Sequence, residues 1–570
     1  MQKSTAYGIN ILSAVCSTIQ LVPVYQANME TLSRLSKGAR PPIFLSANHG
    51  GSEKEIHLLL PYLDCFSYSL LAIFPNTRFS MFDLKINEQC LEHAVQRARE
   101  KGVIIPTFAQ MRNPETIPDS IKERLSHTGL WDLDPVNLFR ITWKNSPVDS
   151  GGGFGGVNHL VLPPELTGVK ARIIVLTGKW FPTGAHKVGA AFGCLVPRLV
   201  TGQFDPITQK AVWPSTGNYC RGGAYDSALL GCSSIAVLPE GMSRERFEWL
   251  DKVAGEVIKT PGSESCIREL FDTCRNLRQS SDDVVIFNQF EEFGNYLWHY
   301  SVTGPAIEEA VQAHLDGPRG IRHLRGVVMA TGSGGTIASA DYIKFNYPWV
   351  RIAAVEALQC PTLLVNGFGD HRIEGIGDRH IPWIHNVKNT DMAIAVDDMA
   401  AMSCLRLFNE EPGRNCLAER GLDAALVDSL NLLGISGCAN VLAAIKFARY
   451  YELGEQDLVV TVATDSVDLY RSRLEEMNEQ YGSFSSLDAA VTLEHHILGQ
   501  NTADMLELTV PSRKRIHNLK YFTWVEQQGK TADELLCQWY DERYWESIPD
   551  ALEQIDSLIV QFNRRTGLSV

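Results

Sequence analysis

The sequence predicts an α/β protein built on parallel β-sheets that helices cover on both faces. From about residue 170 to residue 465, short apolar runs alternate with segments of helical length. The runs are continuously apolar, which is typical of strands buried on both faces. Helical segments between successive strands favour parallel crossover connections.

The predicted strands are short and are spaced along this whole region. They are the segments ARIIVLTG (171–178), KAVWPST (210–216), SSIAVLPE (233–240), GEVIKTPG (255–262), DDVVIFN (282–288), GVVMATG (326–332), RIAAVEA (351–357), DMAIAVDD (391–398) and DLVVTVAT (457–464). A helix is predicted to begin at Lys187 and to continue through Pro197. Another is predicted to end at Gly454, because glycine is common directly after a helix.

The pattern changes twice along the chain and so predicts three regions. Residues 1–150 form an N-terminal extension, residues 151–480 carry the regular α/β pattern, and residues 481–570 are helical and polar. The first boundary contains a G-x-G-x-x-G spacing from Gly151 to Gly156. No strand precedes it and two prolines follow it, which argues against a dinucleotide-binding turn.

The composition is that of an acidic protein with reduced cysteines. Lys and Arg number 52 and Asp and Glu number 66, which gives a net charge of −14. We therefore expect no nucleic-acid partner and no binding to anionic membranes. No apolar run approaches the roughly 20 residues of a membrane span, and the apolar run near the N-terminus is too interrupted to predict a secretory signal. The 13 cysteines form no CxxC pair, which favours a cytoplasmic protein, and no metal-ligand spacing predicts a metal site.

Three glycine-rich turns each follow an apolar strand, and the first ends at Lys187. In open α/β sheets, ligands bind at the carboxyl ends of strands, so the three turns predict one shared site. The turn PTGAHK places Lys187 in the first turn of a helix, where Thr183 or Gly184 could cap the helix. The helix dipole and burial both lower the pKa of a lysine there. A neutral amine is the form that makes a Schiff base with an aldehyde.

The second and third turns have the features of anion-binding sites. PSTGNY, which begins at Pro214, brings hydroxyls and backbone N–H groups to the start of a helix, where a carboxylate can bind. Asn218 in that turn could donate to a phenolate-like oxygen. TGSGGT, which begins at Thr331, forms a nest of backbone N–H groups suited to a phosphate.

Taken together, these turns resemble those of fold-type-II enzymes that use pyridoxal 5′-phosphate (PLP). PTGAHK resembles the PLP-lysine turn of the tryptophan synthase β chain. PSTGNY resembles the substrate loop of the cysteine synthases, and GSGGT resembles their phosphate loop. The segments IEGIGDRHIP and GISGCANVLAAI resemble two further cysteine synthase segments and follow in the same order. The resemblance spans about residues 170–480 and is to the cysteine synthase and cystathionine β-synthase group.

The resemblance implies a fold-type-II core in which two parallel-sheet subdomains close around PLP. It implies that Lys187 carries the cofactor and, once released by the substrate amine, removes the α-proton. The residues that it implies for cofactor binding are Lys187, Asn218, Gly332, Ser333, Gly334, Gly335, Thr336, Gly375, Ile376, Gly377, Thr464 and Asp465. Those expected to bind the substrate are Ser215, Thr216, Gly217, Tyr219, Asp378 and Arg379.

Several of these residues differ from those of the cysteine synthases. Tyr219 replaces a threonine in the substrate loop, and either Thr464 or Asp465 stands where a serine contacts the pyridine nitrogen. Asp378 and Arg379 replace small residues after the G-I-G turn. They either face solvent or pair with each other, or else Arg379 faces the cleft and holds a second anionic group of the substrate or nucleophile.

The activity that the resemblance implies is β-elimination or β-replacement on a cysteine- or serine-derived amino acid through an aminoacrylate. An ammonia-lyase or dehydratase reaction and a threonine-synthase-like reaction stay open as alternatives. Tryptophan synthase activity is disfavoured, because the β chain has an acidic residue where this chain has Ser215. A non-catalytic PLP-binding protein is also disfavoured, because the cofactor residues are all present. The resemblance further implies a homodimer that acts on a small amino acid.

Overall fold

Two β-sheets organise the residues that the computed structural model describes, namely 81–264, 266–315 and 321–568. One sheet has the strand order β1-β2-β10-β7-β8-β9-β11, and the other has the order β5-β4-β3-β6. The strands are β1 His159–Leu162, β2 Arg172–Thr177, β3 Lys210–Pro214, β4 Ser233–Pro239, β5 Glu256–Thr260, β6 Val284–Ile286, β7 His323–Ala330, β8 Arg351–Ala357, β9 Met392–Val396, β10 Asp457–Ala463 and β11 Met505–Glu507.

Helices connect the strands and form the two ends of the described chain. They are α1 Glu88–Lys101, α2 Phe108–Arg112, α3 Asp119–Leu125, α4 Pro164–Thr167, α5 Lys187–Thr201, α6 Asn218–Leu229, α7 Arg244–Val253, α8 Ile267–Ser280, α9 Phe293–Trp298, α10 Gly304–Gln312, α11 Gly335–Asn346, α12 Thr362–Val365, α13 Asp398–Asn409, α14 Glu411–Glu419, α15 Ala424–Ser429, α16 Ile435–Tyr450, α17 Arg471–Tyr481, α18 Ser486–Val491, α19 Val510–Lys520, α20 Ala532–Tyr540 and α21 Arg543–Thr566.

The larger sheet has a parallel centre and antiparallel edges. β2, β10, β7, β8 and β9 pair in parallel, whereas β1 and β11 pair antiparallel with β2 and β9. Successive residues of β2 face different cores: Ile173 and Val175 pack in one apolar cluster, and Ile174 and Leu176 pack in the other. The strand is therefore buried on both faces, which is why its sequence is continuously apolar.

The smaller sheet is parallel throughout. β3 pairs with β4 and β6, and β4 pairs with β5, each in parallel register. Every segment predicted to be a strand contains one, and the prediction of an α/β fold with two parallel-sheet subdomains is confirmed. The short antiparallel edges β1 and β11 were not predicted, because each is too short to show a pattern of its own.

Two helix predictions can be compared with the structure in detail. α5 begins at Lys187 and continues through Pro197, as predicted. α16 ends at Tyr450 rather than at Gly454. The helix stops earlier because Glu452 takes a left-handed conformation, with φ 49°, and the Leu453 N–H donates back to the Ala448 carbonyl.

Both ends of the described chain pack on α5. α1 and α21 contact each other and both contact this helix. The Arg99 guanidinium donates to the Thr566 carbonyl at 2.9 Å, and the Asn563 side chain exchanges hydrogen bonds with the backbone of Ile105. The boundaries predicted at residues 150 and 480 stay predictions, and the interrupted apolar run at the N-terminus lies outside the described residues.

Among the described residues, no single helix has both the length and the hydropathy that a membrane span needs. The bent pair formed by residues 424–432 and α16 meets them by length and composition alone. Nearly all of α16 is buried in the core, as is common for a central helix of a globular protein.

Candidate active site

One cavity lies where strands of both sheets reach their carboxyl ends. β2, β3, β7 and β10 are each followed by a predicted site segment, and β5 and β6 lead to further lining residues. The side chains and backbone that line the cavity belong to Lys187, Ser215, Thr216, Asn218, Tyr219, Glu264, Gln289, Phe290, Ala330, Gly332, Ser333, Gly334, Thr336, Gly375, Ile376, Asp378 and Thr464. The structure thus brings most of the predicted site residues together.

Lys187 is held at the first residue of α5, facing the cavity. Its Nζ donates to Ser333 Oγ at 2.7 Å and to Gln289 Oε1 at 3.1 Å. Burial lowers the pKa of Lys187 to about 8, an effect that the nearby Asp378 carboxyl partly offsets. Neither Thr183 nor Gly184 caps α5, because His186 occupies the N-cap position and makes no side-chain capping bond. Thr183 instead takes a left-handed conformation with φ 68° in the preceding turn.

The substrate-loop segment lies between β3 and α6. Ser215, Thr216, Asn218 and Tyr219 line the cavity, and Gly217 does not. The Gly217 N–H donates to Ser215 Oγ at 2.9 Å, so that the turn is closed by its own hydroxyl. Gly217 has φ 146°, and a Cβ there would lie 2.3 Å from Arg246 Nε. Only glycine fits at this close approach.

Asn218 and Asp465 contact each other. Asn218 Nδ2 donates to Asp465 Oδ2 at 2.5 Å, and the Tyr470 hydroxyl donates to the same oxygen at 2.6 Å. Asp465 is fully buried and is not a lining residue, whereas Thr464 lines the cavity. Of the two residues predicted near the pyridine nitrogen, only Thr464 lines the cavity. Asp465 orients Asn218.

The glycine-rich turn after β7 leads into α11 and forms an anion nest. Gly332, Ser333, Gly334 and Thr336 line the cavity, and Gly334 has φ 78°. Successive N–H groups at a helix start favour a phosphate. Ser333 Oγ accepts from Lys187 Nζ, so this turn and the lysine meet.

Gly335 supports the nest from behind. It does not line the cavity, and a Cβ there would lie 1.9 Å from Asn295 Oδ1. Asn295 Nδ2 in turn donates to Ser333 Oγ at 3.0 Å. The prediction that Gly335 binds the phosphate stays a prediction, and the packing adds a separate requirement for glycine there, because α9 packs directly against the first turn of α11.

The G-I-G-D-R segment divides between the cavity and the surface. Gly375, Ile376 and Asp378 line the cavity, while the Gly377 carbonyl accepts from His371 Nε2 at 2.7 Å. Arg379 does not line the cavity, and its guanidinium pairs with Asp370 instead.

Arg379 is not where an active-site arginine would be. Its side chain is 38% exposed, forms an ion pair with Asp370 at 2.5 Å and lies over the Phe368 ring. The interpretation that Arg379 faces the cleft is not supported by this placement. The placement agrees with the alternative interpretation, in which Arg379 lies at the surface. Its ion-pair partner, however, is Asp370 rather than Asp378.

Four lining residues were not predicted, namely Glu264, Gln289, Phe290 and Ala330. Glu264 and Gln289 follow β5 and β6 in loops without a motif, so their position became visible only when the strands were assembled into a sheet. His186 was also missed. It is fully buried beside Lys187, and its Nε2 lies 3.0 Å from Thr336 Oγ1. Its place next to the lysine in the PTGAHK turn was the available signal.

The residues present fit PLP. The nest at the start of α11 offers backbone N–H groups and two hydroxyls for a phosphate, and the Lys187 amine lies beside it. Asn218 Oδ1 is buried without a hydrogen-bond partner among the described residues, and Nδ2 has a second N–H besides the one that donates to Asp465, so the amide can both accept from and donate to a ligand. Thr464 adds a hydroxyl to the polar groups that line the cavity. Within the described ranges, no group of three or more His, Cys, Asp or Glu side chains is arranged to hold a metal ion.

Comparison with known proteins agrees with this geometry. The family described as "Pyridoxal-phosphate dependent enzyme" matches residues 179–465. Cysteine synthase of Staphylococcus aureus is 30% identical over 294 residues, which are 51% of this chain and 84% of that protein. Cystathionine beta-synthase of Saccharomyces cerevisiae is 25% identical over 319 residues, which are 54% of this chain and 59% of that protein. The match to the yeast protein thus leaves a large part of its length uncovered.

Solved structures of similar proteins are also found. An O-acetylserine-dependent cystathionine beta-synthase from Helicobacter pylori is 26% identical, with a TM-score of 0.46, and covers 55% of this chain and 94% of its own. A cysteine synthase from Entamoeba histolytica is 21% identical, with a TM-score of 0.49, and covers 60% of this chain and 94% of its own. The family match covers half of this chain and includes the lysine turn, the substrate loop and the phosphate nest. The chain therefore belongs to the family of PLP-dependent enzymes with the fold-type-II architecture, and its cofactor is PLP.

Proposed function

We propose that this enzyme catalyses β-elimination or β-replacement on a cysteine- or serine-derived amino acid. The observation that carries the proposal is that the lysine, the carboxylate-binding loop and the phosphate nest line one cavity. The similar proteins named above, cysteine synthase and cystathionine beta-synthase, support the same class of reaction.

Each part of the cavity has a proposed role. Lys187 holds the cofactor, and the nest from Gly332 to Thr336 binds its phosphate. Asn218, held by Asp465, contacts the cofactor ring oxygen, and Thr464 contacts the ring nitrogen. The loop from Ser215 to Gly217 holds the substrate carboxylate through its hydroxyls and N–H groups. Tyr219, Gly375 and Ile376 complete the walls.

The chemistry divides between cofactor and protein. Bound PLP withdraws electrons from the substrate α-carbon and so makes its proton acidic. Lys187 Nζ, released by the substrate amine, is the group placed to take that proton. Because the cavity lies between the two sheets, it can exclude water while the leaving group departs from the β-carbon.

A substrate panel tests the proposal. Purified holoenzyme is incubated with O-acetylserine, cysteine, serine and threonine, with and without a thiol, and acetate, sulfide, keto acid, ammonia and thioether products are measured. We expect turnover of the serine- or cysteine-derived compounds and loss of turnover in Lys187→Ala. Turnover of threonine or free serine to keto acid alone would instead indicate a dehydratase, and no turnover of any compound would contradict the proposal.

The assembly and location are proposed on separate grounds. The 11 cysteines within the described residues are all free, which supports a reducing compartment such as the cytoplasm. A homodimer is proposed from the family resemblance. Residues 151–480 are proposed as the catalytic core, flanked by 1–150 and 481–570. Sedimentation of the purified chain would test the dimer, and a monomer at micromolar concentration would contradict it.

A further inference from the structure

The charge of the cavity is unusual for a site that would receive an anionic nucleophile. Lys187 is the only basic side chain among the lining residues, whereas Glu264 and Asp378 are both acidic. Arg379, the nearest cation in sequence, points away and pairs with Asp370. Once Lys187 holds the cofactor, no lining side chain is left to balance these two carboxyl groups.

Both carboxyl groups are buried and incompletely paired. Glu264 is 1% exposed, and its Oε2 has no hydrogen-bond partner among the described residues. Asp378 is 7% exposed, and in the described part of the chain its side chain makes no hydrogen bond or ion pair. Native proteins pair nearly all buried polar groups, so two such carboxyls in one cavity point to a ligand.

The two groups reach the cavity from different subdomains. Glu264 follows β5 of the smaller sheet, and Asp378 lies in the loop after β8 of the larger sheet. Burial raises the pKa of both, that of Glu264 to about 7. At Glu264 the Arg246 guanidinium and hydrogen bonds from Thr216 and the Gly375 backbone partly offset the effect of burial. The Glu264 carboxyl raises the pKa of Asp378 further. A cation placed between them would relieve this repulsion. An anion would increase it.

We propose that Glu264 and Asp378 form a subsite for an ammonium group at the β-position of the substrate. This proposal rests on the proposed function, whose substrate it specifies. The ammonium can come from the amino acid itself, as in a 2,3-diamino acid, or from an amine that adds to the β-carbon. The chemistry of recognition is the same: two carboxylates accept N–H bonds from one cationic nitrogen.

The addition step balances without any further reactant. The acetate of an O-acetylserine-type substrate leaves with the electrons of its C–O bond. The nitrogen lone pair of the amine then forms the new C–N bond, and Lys187 Nζ returns to the α-carbon the proton that it removed. The proton that the ammonium loses passes to one of the two carboxylates and from there to water. In the elimination direction, a 2,3-diamino acid loses its β-nitrogen as ammonia, and hydrolysis gives a second ammonia and a keto acid.

Three amino acids with similar side chains but different charge test the subsite. L-2,3-diaminopropionate, L-serine and L-aspartate carry a positive, a neutral and a negative group on the β-carbon. Holoenzyme is mixed rapidly with each, and Kd is measured from the early change in visible absorbance. We expect diaminopropionate to bind about tenfold more tightly than serine, because one charge-assisted hydrogen bond contributes about that much to the affinity. Aspartate should bind most weakly.

Neutral variants of the two acids identify the source of the preference. Asp378→Asn and Glu264→Gln keep the shape of each side chain but remove its charge. Each should reduce the ratio of the diaminopropionate and serine affinities by about tenfold and should improve binding of aspartate. Asp370→Asn is the matched control, since it removes an acid 67% exposed outside the cavity, and the ratio should not change.

Two activity measurements distinguish whether the ammonium belongs to the amino acid or to the incoming amine. Release of ammonia and keto acid from diaminopropionate alone indicates the amino acid's own side chain. Formation of a new C–N product from O-acetylserine plus an amine indicates the incoming nucleophile. Equal affinity for the three amino acids in the unaltered enzyme, or an unchanged ratio in both neutral variants, would overturn the subsite. If the enzyme turns over O-acetylserine but binds the three amino acids with equal affinity, only the ammonium subsite is contradicted. If it turns over none of the compounds, the proposed function is contradicted.

Discussion

At the scale of single residues, the proposed function depends first on the protonation state of the Lys187 amine. The side chain faces the cavity, where Ser333 and Gln289 accept its hydrogen bonds. Both acceptors are neutral, so they hold the amine in place without fixing a positive charge on it. Burial, rather than a neighbouring cation, is the larger cause of its lowered pKa.

The lowered pKa predicts how cofactor capture depends on pH. The neutral amine is the reactive form, and it becomes the main form of Lys187 above a pH of about 8. Incorporation of PLP into the apoenzyme should therefore accelerate as pH rises and level off above about 8, whereas an ordinary lysine would require about pH 10.4. The rate is followed by visible absorbance.

The labelled residue provides the control for this prediction. Borohydride reduction followed by mass spectrometry should place the cofactor on the peptide that contains Lys187. Lys179 lies close in sequence but is held by Asp468 at 2.8 Å, and it should carry no label. A label on Lys179, or a rate that continues to rise to pH 10, would contradict the prediction.

At the scale of elements, the phosphate nest is shaped by the packing of α9 against α11. Gly335 permits this contact, and Asn295 of α9 connects it to Ser333 in the nest. The position of the nest is thus determined by a helix that lies elsewhere in the sequence. A change at Gly335 should act on the cofactor through Asn295.

Gly335→Ala should weaken both the fold and cofactor binding. The new methyl group would overlap Asn295 Oδ1, and overpacking of this kind lowers the free energy of unfolding by about 1–3 kcal/mol. Less PLP should co-purify, because Asn295 can no longer hold Ser333. Gly153→Ala is the control, since nothing lies within 4 Å of its added Cβ. Full cofactor content in Gly335→Ala would show that α9 does not determine the nest.

At the scale of the whole molecule, the C-terminal helices support the catalytic core. Lys520 of α19 is fully buried, and its Nζ donates to the Trp383 and His385 carbonyls, each at 2.8 Å, and to Gln538 Oε1 at 2.7 Å. The Cβ of His385 lies 3.3 Å from the position that a Cβ on Gly334 would occupy. The buried Lys520 side chain therefore connects α19 and α20 to the loop behind the nest.

Lys520→Met should destabilise the protein and loosen this connection. The methionine fills the space but removes all three bonds, and it leaves Gln538 Oε1 without the donor that it has here, whereas the Trp383 and His385 carbonyls keep donors from Gln538 Nε2 and the Val387 N–H. A buried unsatisfied group costs about 1–3 kcal/mol. We expect a lower urea midpoint and a lower PLP content. Lys514→Met on the same helix is the control, because the Lys514 ammonium lies over the Trp539 and Tyr540 rings. A midpoint equal to that of the unaltered enzyme would show that the buried ammonium is dispensable.

Much of the site could be predicted because each of its parts is a short local pattern in the sequence. Lys187, Ser215, Asn218 and Ser333 each lie in a turn directly after an apolar strand, and the carboxyl ends of parallel strands meet. The structure places all of them on one cavity. Glu264 could not be predicted in the same way, because it lies in a loop whose sequence has no distinctive pattern.

The sequence by itself determined the strands, the parallel sheets and the three glycine-rich turns, because these depend on local pattern and on glycine at backbone positions that other residues disfavour. Only the tertiary structure decided which way neighbouring side chains point. It placed Asp378 in the cavity and Arg379 outside, and Thr464 at the wall with Asp465 behind Asn218. These residues lie in loops, where no repeating pattern determines the direction of a side chain, so packing against distant elements selects which neighbour is buried.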